Sequence, residues 1–207
     1  LGSDGHANTG DEPQLSGVAA PEFEVMPTTA TPYGLDINAN NITVAQMAIH
    51  GFGSTNVSLP AGANNYGETG NIVIRDGAVG ITITQNVLGG LANSFTDPGA
   101  TRTKGSNIVF DGGADQVVIE RNLIGFASDS GILKYGKNAG VLTDLRIANN
   151  EIRSNGKAPA VNTQGAAIEL NHTALPVQDQ AVIIASNLIT DSAAQGLQLT
   201  YGHGVTI

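Results

Sequence analysis

The sequence predicts an all-β chain wound into a right-handed parallel β-helix of about six coils, and three observations predict it. A strand-like phrase recurs along most of the 207 residues, its apolar positions alternate with the period of two of a pleated strand, and extra material is inserted at one place per repeat. The clearest copy is GADQVVIERNLIGF at Gly113–Phe126. Others are GAVGITITQNVLGG at Gly77–Gly90, LTDLRIANNEIRSNG at Leu142–Gly156 and QDQAVIIASNLITD at Gln178–Asp191, with a looser first copy, NNITVAQMAIHGFG at Asn40–Gly53, and a short one, GHGVTI, ending at Ile207.

Composition agrees with that class. The chain has 27 Gly, 4% aromatic residues and no Trp, and it is rich in Asn, Thr, Val and Ile, a mixture suited to pleated strands joined by tight corners. With only 9 Lys and Arg, a formal charge of −9 and a pI near 4.6, it lacks the basic stripe a nucleic-acid partner requires. No apolar run approaches the roughly 20 residues of a membrane span, so no membrane insertion is expected. The absence of Cys removes disulfides, thiolate metal sites and Cys nucleophiles together and fits a bacterial exported protein, extracellular or on the cell surface. The chain begins with Leu1 and carries no signal-peptide pattern, so the expectation is a processed chain or a piece of a longer one.

Taken in order, residues 1–31 have no period. They carry Pro13, Pro21 and Pro27 and acidic Asp4, Asp11, Glu12, Glu22 and Glu24, the composition of an extended arm or cap. Residues 32–207 form the solenoid. Each copy of the phrase is preceded by a further strand signal, usually introduced by Gly: YGLDIN from Tyr33, GNIVIRDG from Gly70, GSNIVFDGG from Gly105, GILKYG from Gly131, GAAIEL from Gly165 and GLQLTYG from Gly196. One unit is therefore strand, corner, strand, Asn, short strand, loop. The turn Asn residues Asn86, Asn122, Asn150 and Asn187, with Gln46 in the first copy, fall at intervals of 40, 36, 28 and 37 residues, so insertions vary while the unit stays constant. The insertions are Ser54–Thr69, Leu91–Lys104 and Lys157–Gln164, with a very short connection around Ser128–Ser130. No hairpin turn links consecutive strands, which excludes a meander.

In such a coil Ile81, Ile83, Val117, Ile119, Leu145, Ile147, Val182 and Ile184 are expected to stack as inward rows. The Asn column is expected at left-handed corners, each amide bonding the coils above and below. The last copy stops at Ile207 where the others continue, and the expectation is a solenoid that continues or whose end another molecule covers.

These phrases, above all GLDINANNITVAQMAIHGFG at Gly34–Gly53 and GITITQNVLGG at Gly80–Gly90, resemble the right-handed parallel β-helix repeats of pectate-lyase-like proteins and of bacterial surface proteins. The resemblance covers about Tyr33–Ile207. It implies the fold and leaves function open, since that superfamily holds polysaccharide lyases, glycosidases, epimerases, tailspikes and adhesins. It also implies that a site, where there is one, lies on an outward strand face.

Stacking the Gly-introduced strands gives two outward columns. One is Asp36, Val73, Val109, Leu133, Glu169 and Gln198; the other is Asn38, Arg75, Asp111, Tyr135, Asn171 and Thr200, with Asp76, Lys134 and His172 nearby. A lyase needs acids to hold Ca²⁺ and a basic residue to take a proton, which points to Arg75 between Asp76 and Asp111. A hydrolase needs two carboxylates about 5–10 Å apart, which Asp36 with Asp76 or Asp111 with Glu169 would supply. The catalytic candidates are thus Arg75, Asp76, Asp111, Lys134 and Glu169, and the ligand-binding candidates Asn38, Tyr135, Asn171 and His172. His6, His50, His172 and His203 follow no metal-binding spacing. The run DGGAD at Asp111–Asp115 is read as a corner, and sequons at Asn41, Asn56 and Asn171 are those expected of an Asn- and Thr-rich chain.

Two functions follow. The first is a non-catalytic β-helix module of an exported bacterial surface protein acting in adhesion, spacing or assembly, with no cofactor beyond weakly bound Ca²⁺ and with polysaccharide, cell-surface or end-to-end self contacts. The second is a carbohydrate-active enzyme or polysaccharide-binding module whose loops Ser54–Thr69 and Leu91–Lys104 wall a groove.

Overall fold

The computed structural model describes residues 14–15, 17–53, 69–134, 140–157, 165–171, 179–200 and 204–207. The chain is a right-handed parallel β-helix with three six-stranded parallel sheets. The first sheet contains Tyr33–Ile37, Gly70–Arg75, Ser106–Asp111, Ile132–Lys134, Ile168–Asn171 and Leu197–Thr200. The second contains Thr43–Ala45, Ala78–Thr84, Ala114–Glu120, Leu142–Ala148, Val182–Ala185 and Val205–Thr206. The third begins inside the N-terminal arm, with Phe23–Val25 paired to Met47–Ile49, and continues through Val87–Leu88, Leu123–Gly125, Glu151–Arg153 and Leu188–Thr190. Gln14–Leu15 and Val18–Ala19 form a small antiparallel pair.

The alternation read from the sequence builds the core. Ile81, Val117 and Leu145 are register partners across three coils, as are Ile83, Ile119, Ile147 and Ile184 across four. These residues and Val182 are 0–4% exposed, so each stacks on its counterpart one strand spacing away and the rows form a continuous apolar interior. Gly introduces the first-sheet strands for a steric reason: a Cβ on Gly105 would fall 1.9 Å from the Thr69 carbonyl oxygen of the preceding coil.

The Asn column forms a hydrogen-bonded ladder inside the coil. Nδ2 of Asn86 donates to Oδ1 of Asn122 at 3.0 Å, Asn122 to Asn150 at 3.0 Å and Asn150 to Asn187 at 2.9 Å. The left-handed residue, however, is the one before each Asn. Gln46, Gln85, Arg121, Asn149 and Ser186 have φ of 55–57°, whereas none of the ladder Asn residues has positive φ. Gln46 therefore matches Gln85, and the ladder position of the first copy is Met47, whose backbone N–H donates to Asn86 Oδ1 at 3.1 Å. The physical reason is a division of labour: the corner residue, exposed or partly exposed, takes the strained backbone, and the Asn turns inward where its amide has buried carbonyls to satisfy.

A second ladder runs between the third and first sheets. Asn71 Nδ2 donates to Asn107 Oδ1 at 2.7 Å and Asn107 Nδ2 to Asn155 Oδ1 at 3.2 Å, with all three side chains fully buried. It follows from the repeated Gly-Asn and Ser-Asn that open two first-sheet strands.

Candidate functional site

The first sheet carries the outward columns expected to hold chemistry. Backbone register aligns Asp36, Val73, Val109, Leu133, Glu169 and Gln198 in one row and pairs Arg75 with Asp111 and Asn171 with Thr200 in the next. Val73, Val109 and Leu133 face away from the core and are nevertheless 0, 0 and 3% exposed, so the middle of this face is covered. Polar side chains gather on either side of that apolar stretch.

At the first of these sites Arg75 spans three coils. Its Nε and Nη2 donate to the two oxygens of Asp36 at 2.6 and 2.9 Å, and Nη1 donates to Asp111 Oδ2 at 2.7 Å. The guanidinium also lies 4.7 Å from the centre of the Tyr33 ring. Its hydrogen bonds to Asp36 raise the Arg75 pKa further above the already high value of arginine, against the opposing effect of partial burial. Arg75 is thus a permanently charged staple, and a group held protonated this firmly is unsuited to abstracting a proton.

Asp76 does not join it. Its Oδ1 accepts from the Gly113 N–H at 2.7 Å, so Asp76 secures the corner between the first and second sheets. The triad expected around Arg75 is corrected accordingly: its acids are Asp36 and Asp111, because Asp111 is its register partner and Asp36, which pairs with Val73 two residues before it, is within reach of the guanidinium, whereas the chain turns at Asp76.

Lys134 is also elsewhere than expected. It is the register partner of Phe110 and Leu170, faces inward, is fully buried, and its Nζ has no hydrogen-bond partner among the described residues. Burial lowers its pKa, and the negative charges of Asp179 and Asp76 oppose that shift. The strand alternates strictly, so with Leu133 outward Lys134 must point in.

The second polar group lies around Glu169. Ser130 Oγ donates to Glu169 Oε2 at 2.7 Å, and Asn171 Nδ2 donates to Oε1. Asp129, on the turn before Ile132, accepts from Ser106 Oγ at 3.4 Å. Burial, with the adjacent charge of Glu169, pushes the Asp129 carboxyl up to about 6. A carboxyl held this far above the ordinary range by burial keeps its proton into mildly acidic pH, where it is able to give and accept one. Sequence reasoning missed Asp129; its signal was the very short connection at Ser128–Ser130, which presses that turn against the neighbouring coil. The pairing of Asp111 with Glu169 does not form a unit, since they lie two strand spacings, about 10 Å, apart along the axis and each has its own partners. Asn38 is exposed at the turn after the first strand, and Tyr135, His172 and most of Ser54–Thr69 lie outside the described residues.

The loop Leu91–Lys104 covers the outer face of the third sheet instead of walling the first. Phe95, 2% exposed, packs with Ala48, Val87, Leu123 and Val18 and meets the Phe126 ring edge-on at 5.3 Å. Arg153 lies 4.5 Å over the Phe95 ring and donates to its carbonyl. The hydrogen bonds of Arg102 hold the Asp97 carboxyl below its ordinary range. The second sheet keeps a more open outer face, with Thr43 and Ile183 exposed and Thr82, Val118 and Arg146 partly so. Among the described residues no three His, Asp or Glu side chains are grouped to hold a metal ion, and no helix is long and apolar enough to cross a membrane. Comparison with protein-family models, with curated proteins and with solved structures gives no match to this chain.

Proposed function

We propose that the chain is a non-catalytic module of an exported bacterial surface protein, a rod of the pectate-lyase-like superfamily serving as spacer, adhesive face or assembly element. The observation that carries this reading is the use made of Arg75, which joins Asp36 and Asp111 across three coils beside a covered apolar column. Charges spent in clamping one coil to the next stiffen a rod, and they are not offered to a substrate. The second sheet's outer face is the surface a polysaccharide or cell-surface partner would meet, end-to-end self-association is the assembly mode that parallel solenoids offer, and the acidic surface would bind Ca²⁺ weakly.

A second reading, a carbohydrate-active enzyme, is favoured by one observation, the Asp129 and Glu169 pair with its raised carboxyl. Incubation with uronate-containing and neutral polysaccharides, followed by assay of unsaturated and reducing ends, separates the two. The module reading expects retention on a polysaccharide or ordered filaments by electron microscopy, without turnover. Turnover that disappears in Asp129→Asn or Glu169→Gln overturns it in favour of the enzyme.

A further inference from the structure

A cavity of about 350 Å³ opens between the N-terminal arm and the loop that covers the third sheet, well away from the first-sheet face. Its walls include Met26, Pro27 and Ala30 from the arm and Ala100, Thr101 and Lys104 from the loop. Its size falls at the lower end of small-molecule sites, roughly 300–1,000 Å³. Gly51 at the seam has φ of +83°, and a Cβ there would stand 3.1 Å from Pro27 Cδ and 3.2 Å from the Thr101 carbonyl, so a side chain would crowd the place where the two walls meet.

The charge pattern says what would enter. Of the cationic side chains among the described residues, Arg75, Arg102, Arg121, Arg146, Arg153 and Lys157 each stand within ion-pair distance of a carboxylate, and Lys134 is sealed in the core. Lys104 makes no ion pair among the described residues. Its Nζ donates to the Ala100 carbonyl at 3.3 Å, which keeps the ammonium on the cavity wall with two protons to spare. In a chain of net charge −9, a cation without an ion pair among the described residues stands beside apolar side chains, and among the described residues it is the only charged one lining the cavity.

We infer that this cavity is a binding site for a small apolar monoanion, a carboxylate on a short hydrocarbon or aromatic group, with Lys104 taking the charge and Met26, Pro27, Ala30 and Ala100 the apolar part. The inference does not depend on the proposed function, because the site shares no residue with the first-sheet face. Hexanoate and benzoate, with hexanamide and benzamide as neutral counterparts, are titrated into the full chain and followed by proton–nitrogen correlation NMR. The expected result is saturable shifts confined to the amides around Thr28–Ala30, Gly51–Gly53 and Ala100–Lys104. Lys104→Gln is expected to weaken the acids about tenfold, the loss of one charge-assisted hydrogen bond, while leaving the amides unchanged; Lys104→Arg restores acid binding. Ala100→Trp, which fills the cavity from an exposed loop position, is expected to abolish binding of acids and amides alike. Absence of saturable shifts, shifts centred elsewhere, or acids bound equally well by Lys104→Gln overturns the inference.

Discussion

Asn122 and Asn150 are joined twice: Oδ1 of Asn150 accepts both the backbone N–H of Asn122 at 2.9 Å and its Nδ2 at 3.0 Å. Asn122 Nδ2 also donates to the carbonyls of Ile83 and Glu120, and its Oδ1 serves Asn86 in the same double fashion. One fully buried side chain thus satisfies backbone groups in neighbouring coils. Asn122→Ala is expected to destabilise the chain by about 3 kcal/mol, since several buried groups lose their partners at once. Asn187→Ala, at a partly exposed rung, is expected to cost about 1 kcal/mol. Urea unfolding of both variants tests the ladder, and equal losses would contradict it.

Lys134 makes stability depend on alkaline pH. Its folded pKa lies below the ordinary lysine value near 10.5, so between the two the unfolded chain binds the extra proton. The cost of burying the amine is therefore greatest at lower pH and fades as pH rises to 10.5. Lys134→Met, which keeps the length and removes the charge, is expected to be at least as stable as the parent at pH 7 and to lack this rise. Denaturant midpoints between neutral and alkaline pH read the slope, and a parent chain with no rise beyond that of Lys134→Met refutes the assignment.

Asp129 works in the opposite range. Its folded pKa of about 6 lies above the ordinary 3.8, so its contribution to stability is fully present below 3.8 and is lost as pH rises through 6. Asp129→Asn is expected to stabilise the chain above pH 6 by about 1–3 kcal/mol. Carbon-detected NMR titration of the Asp129 carboxyl gives its midpoint directly, and Glu169→Gln should lower that midpoint by removing the neighbouring charge. A midpoint in the ordinary carboxylate range would remove the basis of the enzymatic reading.

The Arg75 staple is partly open to solvent, with side-chain exposures of 24% for Arg75, 46% for Asp36 and 19% for Asp111. Double-mutant cycles with Asp36→Asn and Asp111→Asn should give coupling energies of about 0.5–1 kcal/mol, weakening as salt is added. Arg75→Lys should fall short of the parent, because an ammonium lacks the planar fork that reaches both acids.

Much of the architecture was legible because it depends on nearest neighbours in the chain. Whether Val117 and Ile119 face inward follows from a period of two, whereas the left-handed corner falls one residue before each ladder Asn, on Gln, Arg, Asn or Ser, where residue type gave no signal. The outward row from Asp36 to Gln198 could be counted for the same reason. Lys134 was open to the same count, but its charge suggested the surface, and a long side chain can be buried where its neighbours in the row are Phe110 and Leu170.

The sequence by itself determined the solenoid, its inward rows and its outward columns, since each rests on alternation within a single strand. Which charges meet was decided by tertiary structure. Asp36, Arg75 and Asp111 are 39 and 36 residues apart along the chain, and insertions of unequal length lie between them. Asp129 comes under the charge of Glu169 although 40 residues separate them along the chain, and the loop Leu91–Lys104 lies over the third sheet because Phe95 finds a buried place there. Coil stacking converts such distant positions into neighbours, and spacing along one coil carries no record of where the next coil's insertion folds.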